Sequence, residues 1–192
     1  MAFYDGRPER ETWELIGGVP YMMSPPRVVH QRISDNLYRL LGDRIHSLGL
    51  GWVPSREIGV RIPEDDTFAP EPDVTVIDID VAEDLIWAER FYFVAEVLSG
   101  KDRPEKRDGS DKPRPLAAKL DYYKAHSHCR GVIIVRQDIV AAELHVRREG
   151  GWTEASLAAP GDRIAVPDIG DIGPLAHLYR YTPLWRAEFA AL

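Results

Sequence analysis

Two acidic residues stand in stretches of the sequence that are otherwise apolar. Glu96 lies within FYFVAEVLS (residues 91–99), and Asp73 follows Pro72 at the start of the β-branched run VTVID. A carboxylate in so apolar a strand is costly unless a cation, a proton or a hydrogen-bond donor pairs with it. Glu96 is therefore either a satisfied acid of the core or a member of a functional site.

The chemistry open to Asp73 and Glu96 depends on how close they come. Neighbouring strands of a sheet lie about 4.8 Å apart, so two acids on adjacent strands could meet at one site. Two carboxylates at that distance repel each other, which raises the pKa of one of them or favours a divalent cation. Carboxylate oxygens are hard ligands that suit Mg²⁺ or Mn²⁺.

Lys119 is a candidate third member of this site. It lies in PLAAKLDYYKAHS, a predicted helix, three positions after Leu116 and four before Tyr123. This spacing places the lysine on the same helical face as those two residues. An inward-facing lysine could reach the carboxylates, whereas a surface lysine would lay its stem along the edge of the core. The pattern leaves both possibilities open.

The elements that must position these residues indicate an α/β (α+β) domain with a mixed central β-sheet flanked by helices. A hairpin is predicted around Gly17–Gly18, and a helix from about Ser24, its expected N-cap, to Leu48. Strands are predicted in GWVPSREIGVRIP, PEPDVTVIDID, FYFVAEVLS, CRGVIIVRQ and the two runs around Gly150–Gly151. GDRIAVPDIGDIGPL is expected to end the same sheet.

Composition narrows the class of protein. The chain has 192 residues, 44% of them hydrophobic, which predicts one domain over residues 1–192. A single cysteine, Cys129, fits a reducing compartment, so we expect a cytoplasmic protein. No apolar run approaches the length of a membrane span. The net charge of -7 disfavours a protein that coats nucleic acid by charge alone, although it allows a local basic patch.

Two other segments contain residues that could bind a ligand. Residues 99–115 predict a long charged loop; its basic residues could contact phosphates, but its four acids favour a solvated loop. His126, His128 and Cys129 suggest zinc, yet no second ligand pair with finger-like spacing accompanies them. His30, in the long predicted helix, is expected on its polar face, where it could approach the acids.

The ordered motifs resemble a known family. PEPDVTVID, FVAEVLSG and KLDYYKAH, preceded by ELIGGVPYMMSPP and a histidine, resemble the Uma2 family of restriction-endonuclease-like proteins, within the PD-(D/E)xK nuclease superfamily. The resemblance covers roughly residues 12–136. It implies a restriction-endonuclease-like fold and a Mg²⁺-dependent (or Mn²⁺-dependent) deoxyribonuclease acting on DNA. The implied catalytic residues are Asp73, Glu96 and Lys119, and the implied metal ligands are Asp73, Glu96, the Val97 carbonyl and Glu14.

The sequence also departs from that pattern. Leu98 stands where the superfamily commonly has lysine, so Lys119 of the following helix would supply the amine. The segment between Glu96 and Lys119 is longer than the family leads us to expect, and GVIIVRQD lacks the usual aromatic and acidic residues. A non-catalytic DNA-binding or interaction protein with a nuclease fold is therefore the alternative. A small-molecule hydrolase is disfavoured, because Ser99 has no nucleophile motif around it. Since cutting both strands of a duplex needs two sites, we expect a homodimer.

Overall fold

The fold consists of twelve strands and two α-helices, described in a computed structural model over residues 11–81, 85–99 and 115–192. The helices are α1 (Val28–Leu48) and α2 (Pro115–Ala125), and 3₁₀ turns lie at Leu175–Tyr179 and Ala187–Ala191. The strands are β1 (Trp13–Ile16), β2 (Val19–Met22), β3 (Trp52–Ser55), β4 (Gly59–Val60), β5 (Val74–Asp78), β6 (Trp87–Ala88), β7 (Phe91–Leu98), β8 (Gly131–Arg136), β9 (Ala142–Arg148), β10 (Gly151–Leu157), β11 (Arg163–Val166) and β12 (Gly170–Pro174).

Six of the strands form a mixed central sheet. Their order is β10-β9-β8-β7-β5-β3, and β7 and β8 are parallel while the other neighbours are antiparallel. A parallel pair needs a crossover connection, and α2 lies in that connection. Strand β7, with a neighbour on each side, is buried along nearly its whole length. The prediction of a covered central strand at residues 91–99 is therefore confirmed.

A helix covers each face of this sheet. On one face α1 packs its aliphatic stripe into a core with β5, β7 and β8; the stripe is Ile33, Leu37, Leu41 and Ile45. On the other face α2 buries Tyr122 and Tyr123 beside Val94 and Val132. This is the α+β arrangement that the sequence predicted. Within the described residues, no helix has both the length and the apolar character needed to cross a membrane.

The ends of α1 show how local sequence sets a helix boundary. Gly49 closes the helix in the left-handed region, with φ of 65°, a conformation that glycine adopts without strain. At the other end Arg27 is the N-cap and no side chain caps the helix, so the predicted cap at Ser24 is wrong. With Ser24 as cap, Pro25 would be the first helical residue, but it precedes Pro26, and a residue before proline is disfavoured in helical conformation.

Two predicted strands take other places in the structure. The run GWVPSREIGVRIP is broken where Glu57 adopts a left-handed φ of 54°. Its first part, β3, joins the central sheet, whereas its second part, β4, pairs in parallel with β6. Gly59 of β4 packs so closely against Trp87 that a Cβ at this position would fall 2.1 Å from the indole ring.

The last strands, β11 and β12, form a separate two-stranded sheet. The expectation that they end the central sheet is therefore wrong. Their hairpin packs against α1, so its apolar residues complete the α1 face of the core rather than extend the sheet; these are Ile164, Val166, Ile169 and Ile172. The predicted charged loop, apart from its first and last residues, falls outside the described residues.

Candidate active site

Asp73 and Glu96 come together on the adjacent strands β5 and β7. Val74 is paired with Ala95 in the antiparallel register, so the two acids occupy the next position along the same pair of strands. Asp73 Oδ2 accepts a hydrogen bond of 2.6 Å from the Val97 N–H. The Asp73 side chain is 22% exposed, whereas Glu96 is buried. One acid of the pair is therefore accessible and the other is enclosed.

Lys119 lies between two buried carboxylates. Its Nζ is 2.7 Å from Glu96 Oε1 and 2.7 Å from Glu14 Oε1. Glu14, carried by β1, also accepts a hydrogen bond of 2.8 Å from the Glu71 N–H. The lysine side chain is only 6% exposed, so the surface-lysine interpretation of its sequence pattern is wrong. Its amine is directed into the protein, beside the acids.

Tyr123 is a member of the cluster that the sequence did not identify. Its hydroxyl donates a hydrogen bond of 2.6 Å to Glu96 Oε1. Tyr123 stands one helical turn after Lys119, so both side chains of α2 reach the same carboxylate oxygen. The spacing of four residues is the signal in the sequence, but it equally fits a tyrosine of the apolar stripe beside Leu116. Among the described residues, none donates a hydrogen bond to Glu96 Oε2.

His30 contacts the accessible acid from α1. Its Nε2 lies 3.3 Å from Asp73 Oδ1, and the ring also forms a hydrogen bond with the backbone of Val97. Burial lowers the pKa of His30, but the hydrogen bond and charge of Asp73 outweigh burial and raise it above its usual value. The imidazole therefore holds one Asp73 oxygen while the Val97 N–H holds the other.

Burial and crowding of charge change the pKa of Glu96. Burial, followed by the charges of Glu14 and Asp73, raises this pKa from 4.5 to about 7, against the opposing effect of Lys119. For Lys119, burial lowers the pKa, but Glu96 and Glu14 raise it above its usual value. The amine is consequently charged at neutral pH, while Glu96 is balanced there between its protonated and ionised forms.

The donor groups at this site fit a hard divalent cation. Asp73, Glu96 and the Val97 carbonyl offer only oxygen, the ligand type that Mg²⁺ and Mn²⁺ prefer. In the described ranges no three His, Cys, Asp or Glu side chains are arranged to hold a metal ion. Magnesium sites commonly use one or two carboxylates, with waters and substrate phosphates completing the shell. Asp73 and Glu96 stand side by side on β5 and β7, whereas Glu14 lies on β1, so Asp73 and Glu96 are the pair of carboxylates that could share one ion.

The acids do not line either of two depressions on the described surface. One of these, of about 400 Å³, is lined by Val28, Gln31, Arg32, Asp35, Asn36, Arg39, Arg180 and Tyr181. The other, of about 560 Å³, is lined by residues from Ser55 to Gly59 with Glu71, Leu85, Ile86 and Trp87. Small-molecule enzymes usually enclose their substrates in a cleft.

The fold and the site together define a nuclease-like α+β protein, and comparison with solved structures supports the fold. The chain resembles the crystal structure of a "putative nuclease belonging to DUF820" from Anabaena variabilis, with a TM-score of 0.69 and 12% sequence identity. The alignment covers 92% of this chain and 94% of that one. At this identity, the likeness establishes the fold alone.

The sequence comparison identifies the family. Residues 2–173 match the profile of Uma2, a family described as "Putative restriction endonuclease". The chain belongs to the Uma2 family, which confirms the resemblance drawn from its motifs. No curated protein matches the chain in sequence.

Proposed function

We propose that this Uma2 protein is a Mg²⁺- or Mn²⁺-dependent endonuclease that hydrolyses phosphodiester bonds of DNA. Family membership and the nuclease-like fold support nuclease activity in general. The observation that carries the proposal is the buried Lys119 ammonium, held 2.7 Å from Glu96, which in turn stands beside the accessible Asp73 on the neighbouring strand. Metal ligands and a cation beside one open site are what phosphodiester hydrolysis requires.

Asp73, Glu96 and the Val97 carbonyl would hold the metal ion. A metal bound there would lower the pKa of a bound water and offset negative charge on the phosphate. Asp73 is the ligand whose orientation is fixed most completely, because His30 contacts one oxygen and the Val97 N–H binds the other. Glu96 has two donors on Oε1, so Oε2 is the oxygen left for a metal.

Lys119 would orient the attacking water or donate to a phosphate oxygen as negative charge develops. The two carboxylates keep its amine charged despite burial. Glu14 Oε1 lies 2.7 Å from the amine, and Glu14, unlike Glu96, does not neighbour Asp73 across β5 and β7, so we assign it to positioning Lys119 rather than to binding the metal. Tyr123 positions Glu96 in the same manner.

The alternative is a nuclease-fold protein that binds DNA or a partner without catalysis. The net charge of -7 favours this alternative. Against it stands the cost of the cluster, because buried ion pairs stabilise a fold less than apolar residues of similar volume. A protein with no chemistry to perform would gain stability by replacing Glu14, Glu96 and Lys119, yet all three are present and paired.

The test is cleavage of plasmid DNA with Mg²⁺ or Mn²⁺, beside an EDTA control. Asp73→Asn keeps the side-chain shape and removes the charge, and we expect it to reduce cleavage about 100-fold or more. Asp43→Asn is a matched control, since Asp43 is an exposed aspartate of α1. We expect Asp43→Asn to cleave at the wild-type rate.

Calorimetric titration of Mg²⁺ or Mn²⁺ into wild type and Asp73→Asn separates the two candidate functions. Metal binding that requires Asp73, together with metal-dependent cleavage, supports the endonuclease. Cleavage that survives in Asp73→Asn would show that the site is elsewhere. If the protein neither binds metal nor cleaves supercoiled, linear or single-stranded DNA, the result would favour the non-catalytic binding protein.

We also propose that the active form is a homodimer. One cluster offers one set of acids, and cutting both strands of a duplex requires two such sets. Light scattering coupled to size-exclusion chromatography should give twice the mass of 21.7 kDa. A monomer that nicks only one strand would contradict this proposal.

A further inference from the structure

Three arginines gather in the depression on the outer side of α1, which we name the arginine depression after Arg32, Arg39 and Arg180. Each of these three arginines contacts a neutral hydrogen-bond acceptor. Arg32 Nη1 donates to the Tyr181 carbonyl at 2.8 Å, and Arg39 Nη2 donates to Asn36 Oδ1 at 2.6 Å. The Arg180 guanidinium contacts the ring of His177. Their positive charges therefore have no carboxylate partner within the depression.

Six of the eleven other arginines in the described part of the chain are paired with acids. The recorded pairs are Arg56–Asp35, Arg61–Glu89, Arg90–Asp78, Arg130–Asp168, Arg136–Asp138 and Arg163–Asp171. Asp35 is the acid among the residues that line the arginine depression, and Arg56 already offsets its charge. The depression is thus a local concentration of positive charge in a chain of net charge -7. This location fits an anionic ligand.

Tyr181 adds an aromatic surface at the rim of the arginine depression. Its side chain is 70% exposed, and its backbone has a φ of 63°, in the left-handed region that tyrosine rarely adopts. Asn36 fixes the preceding segment, because its Nδ2 donates to the Leu178 and Arg180 carbonyls at 2.9 Å each. An exposed ring in a strained, clamped backbone is characteristic of a ligand contact. Bases of nucleic acids stack on rings presented in this way.

We propose that the arginine depression binds phosphates of the nucleic-acid strand outside the cleavage site, with Tyr181 stacking on a base or sugar. The identity of the ligand rests on the proposed function. Helix α1 lies between the acids and the arginine depression. His30 contacts Asp73 from one side of the helix. Arg32 and Arg39 project from the other side. An α-helix is about 10–12 Å across with its side chains. A strand held at the acids therefore reaches the depression by passing round the first turn of α1.

The test measures binding without cleavage. Anisotropy of a labelled duplex of about 20 base pairs is followed in EDTA across a range of salt concentrations. Arg32→Gln and Arg39→Gln should each weaken binding roughly fivefold and reduce the slope of log K against log salt by about 1. Arg148→Gln removes an exposed arginine at the end of β9 and is the matched control. We expect it to change affinity less than about twofold, and the melting temperature of each variant verifies folding.

Tyr181→Asn tests the stacking contact separately. Asparagine tolerates the left-handed backbone and removes the ring, so affinity should fall about fivefold or more with the salt slope unchanged. Free thymidine 5′-phosphate, titrated into the same assay, tests a free nucleotide as the source of the phosphate. Complete displacement of the duplex by micromolar nucleotide would overturn the assignment to a strand.

The outcomes distinguish this inference from the proposed function. If Arg32→Gln and Arg39→Gln bind like Arg148→Gln while the wild type cleaves DNA, the arginine depression is not a strand contact and the endonuclease proposal stands. If binding depends on the arginines but no cleavage occurs, the inference holds and the endonuclease proposal fails. A wild type that binds neither duplex nor single strand in EDTA would overturn the inference, and cleavage with Mg²⁺ or Mn²⁺ would still decide the endonuclease proposal.

Discussion

The two faces of the central sheet are packed by different chemistry. On the α1 face, four aliphatic residues at helical spacing meet an aliphatic surface of the sheet. On the α2 face, the residues that the helix buries are Lys119, Tyr122 and Tyr123, all with polar tips. Aliphatic packing depends on volume and shape, whereas the buried amine depends on particular partners at particular atoms. The first face can therefore accept many substitutions that the second cannot.

Strand β7 belongs to both faces. Its alternate residues Phe93, Ala95 and Val97 join the α1 core, while Val94 lies with the α2 residues and Glu96 contacts Lys119 and Tyr123. The strand that anchors the core is thus also the strand that positions the acid. Packing on one side of β7 fixes the backbone from which the chemistry on the other side is built.

The largest expected effect is on stability, from Lys119→Met. This change leaves Glu14 and Glu96 buried without their cation, and we expect it to lower the free energy of unfolding by about 3–5 kcal/mol. The triple variant Glu14→Gln, Glu96→Gln, Lys119→Met should recover much of that loss, because no buried charge of the three remains. Urea denaturation measures both variants. A triple variant less stable than Lys119→Met would show that the cluster is held by something other than its charges.

A substitution in the core of the α1 face should lower stability through the cavity that it leaves, without changing the chemistry of the acids. Leu37 is fully buried, and Leu37→Ala should lower the free energy of unfolding by about 3 kcal/mol. Below its melting temperature this variant should keep the wild-type pH dependence of DNA cleavage, since Leu37 does not contact the acids. A shifted pH profile in Leu37→Ala would show that the two faces are coupled through β7.

The pH dependence of the free energy of unfolding should also distinguish the two faces, through the titration of Glu96 on the α2 face. The pKa of Glu96 is raised from 4.5 to about 7 in the folded protein, so its protonated form favours folding. This stability is present below pH 4.5 and is lost as the pH rises through about 7. Relative to Glu96→Gln, the wild type should therefore lose about 3 kcal/mol across that window. Equal pH slopes in the two proteins would refute the raised pKa.

The smallest effect is expected from Tyr123→Phe. The change removes a hydrogen bond to Glu96 and should lower the free energy of unfolding by about 1 kcal/mol. Since that bond favours the ionised carboxylate, the pKa of Glu96 should rise further. The rise in metal-dependent cleavage with pH should consequently shift to higher pH. A shift to lower pH would mean that the hydroxyl does not stabilise the ionised form.

The sequence predicted the α1 face better than the α2 face, for physical reasons. Repetition at helical spacing identifies an aliphatic stripe such as that of α1 whatever it packs against. In α2, Leu116 and Leu120 are only half-buried, while the lysine and two tyrosines are enclosed. Whether the polar tip of a long side chain is buried depends on partners distant in sequence, so periodicity could not choose between the two interpretations of Lys119.

The acids were easier to predict than their partners. Glu96 and Asp73 stand out because they interrupt apolar strands, helical spacing made Lys119 a candidate, and the family resemblance added Glu14. Tyr123 and His30 reach the acids through contacts that span 27 and 43 positions of the sequence. The break at Glu57 had no local signal either, since its left-handed backbone is imposed by the separate pairing of β3 and β4.

The contact between Lys119 and Glu14 has a consequence for how the protein is made. The two residues are 105 positions apart, and long-range contacts of this kind form late, after the loop between them has closed. During synthesis, β1 leaves the ribosome well before α2, at about 5–20 residues per second. For several seconds the nascent chain therefore contains Glu14 but not yet the amine of Lys119. A newly made chain would carry acids without the cation, and the complete cluster would arise only after synthesis passes the second helix.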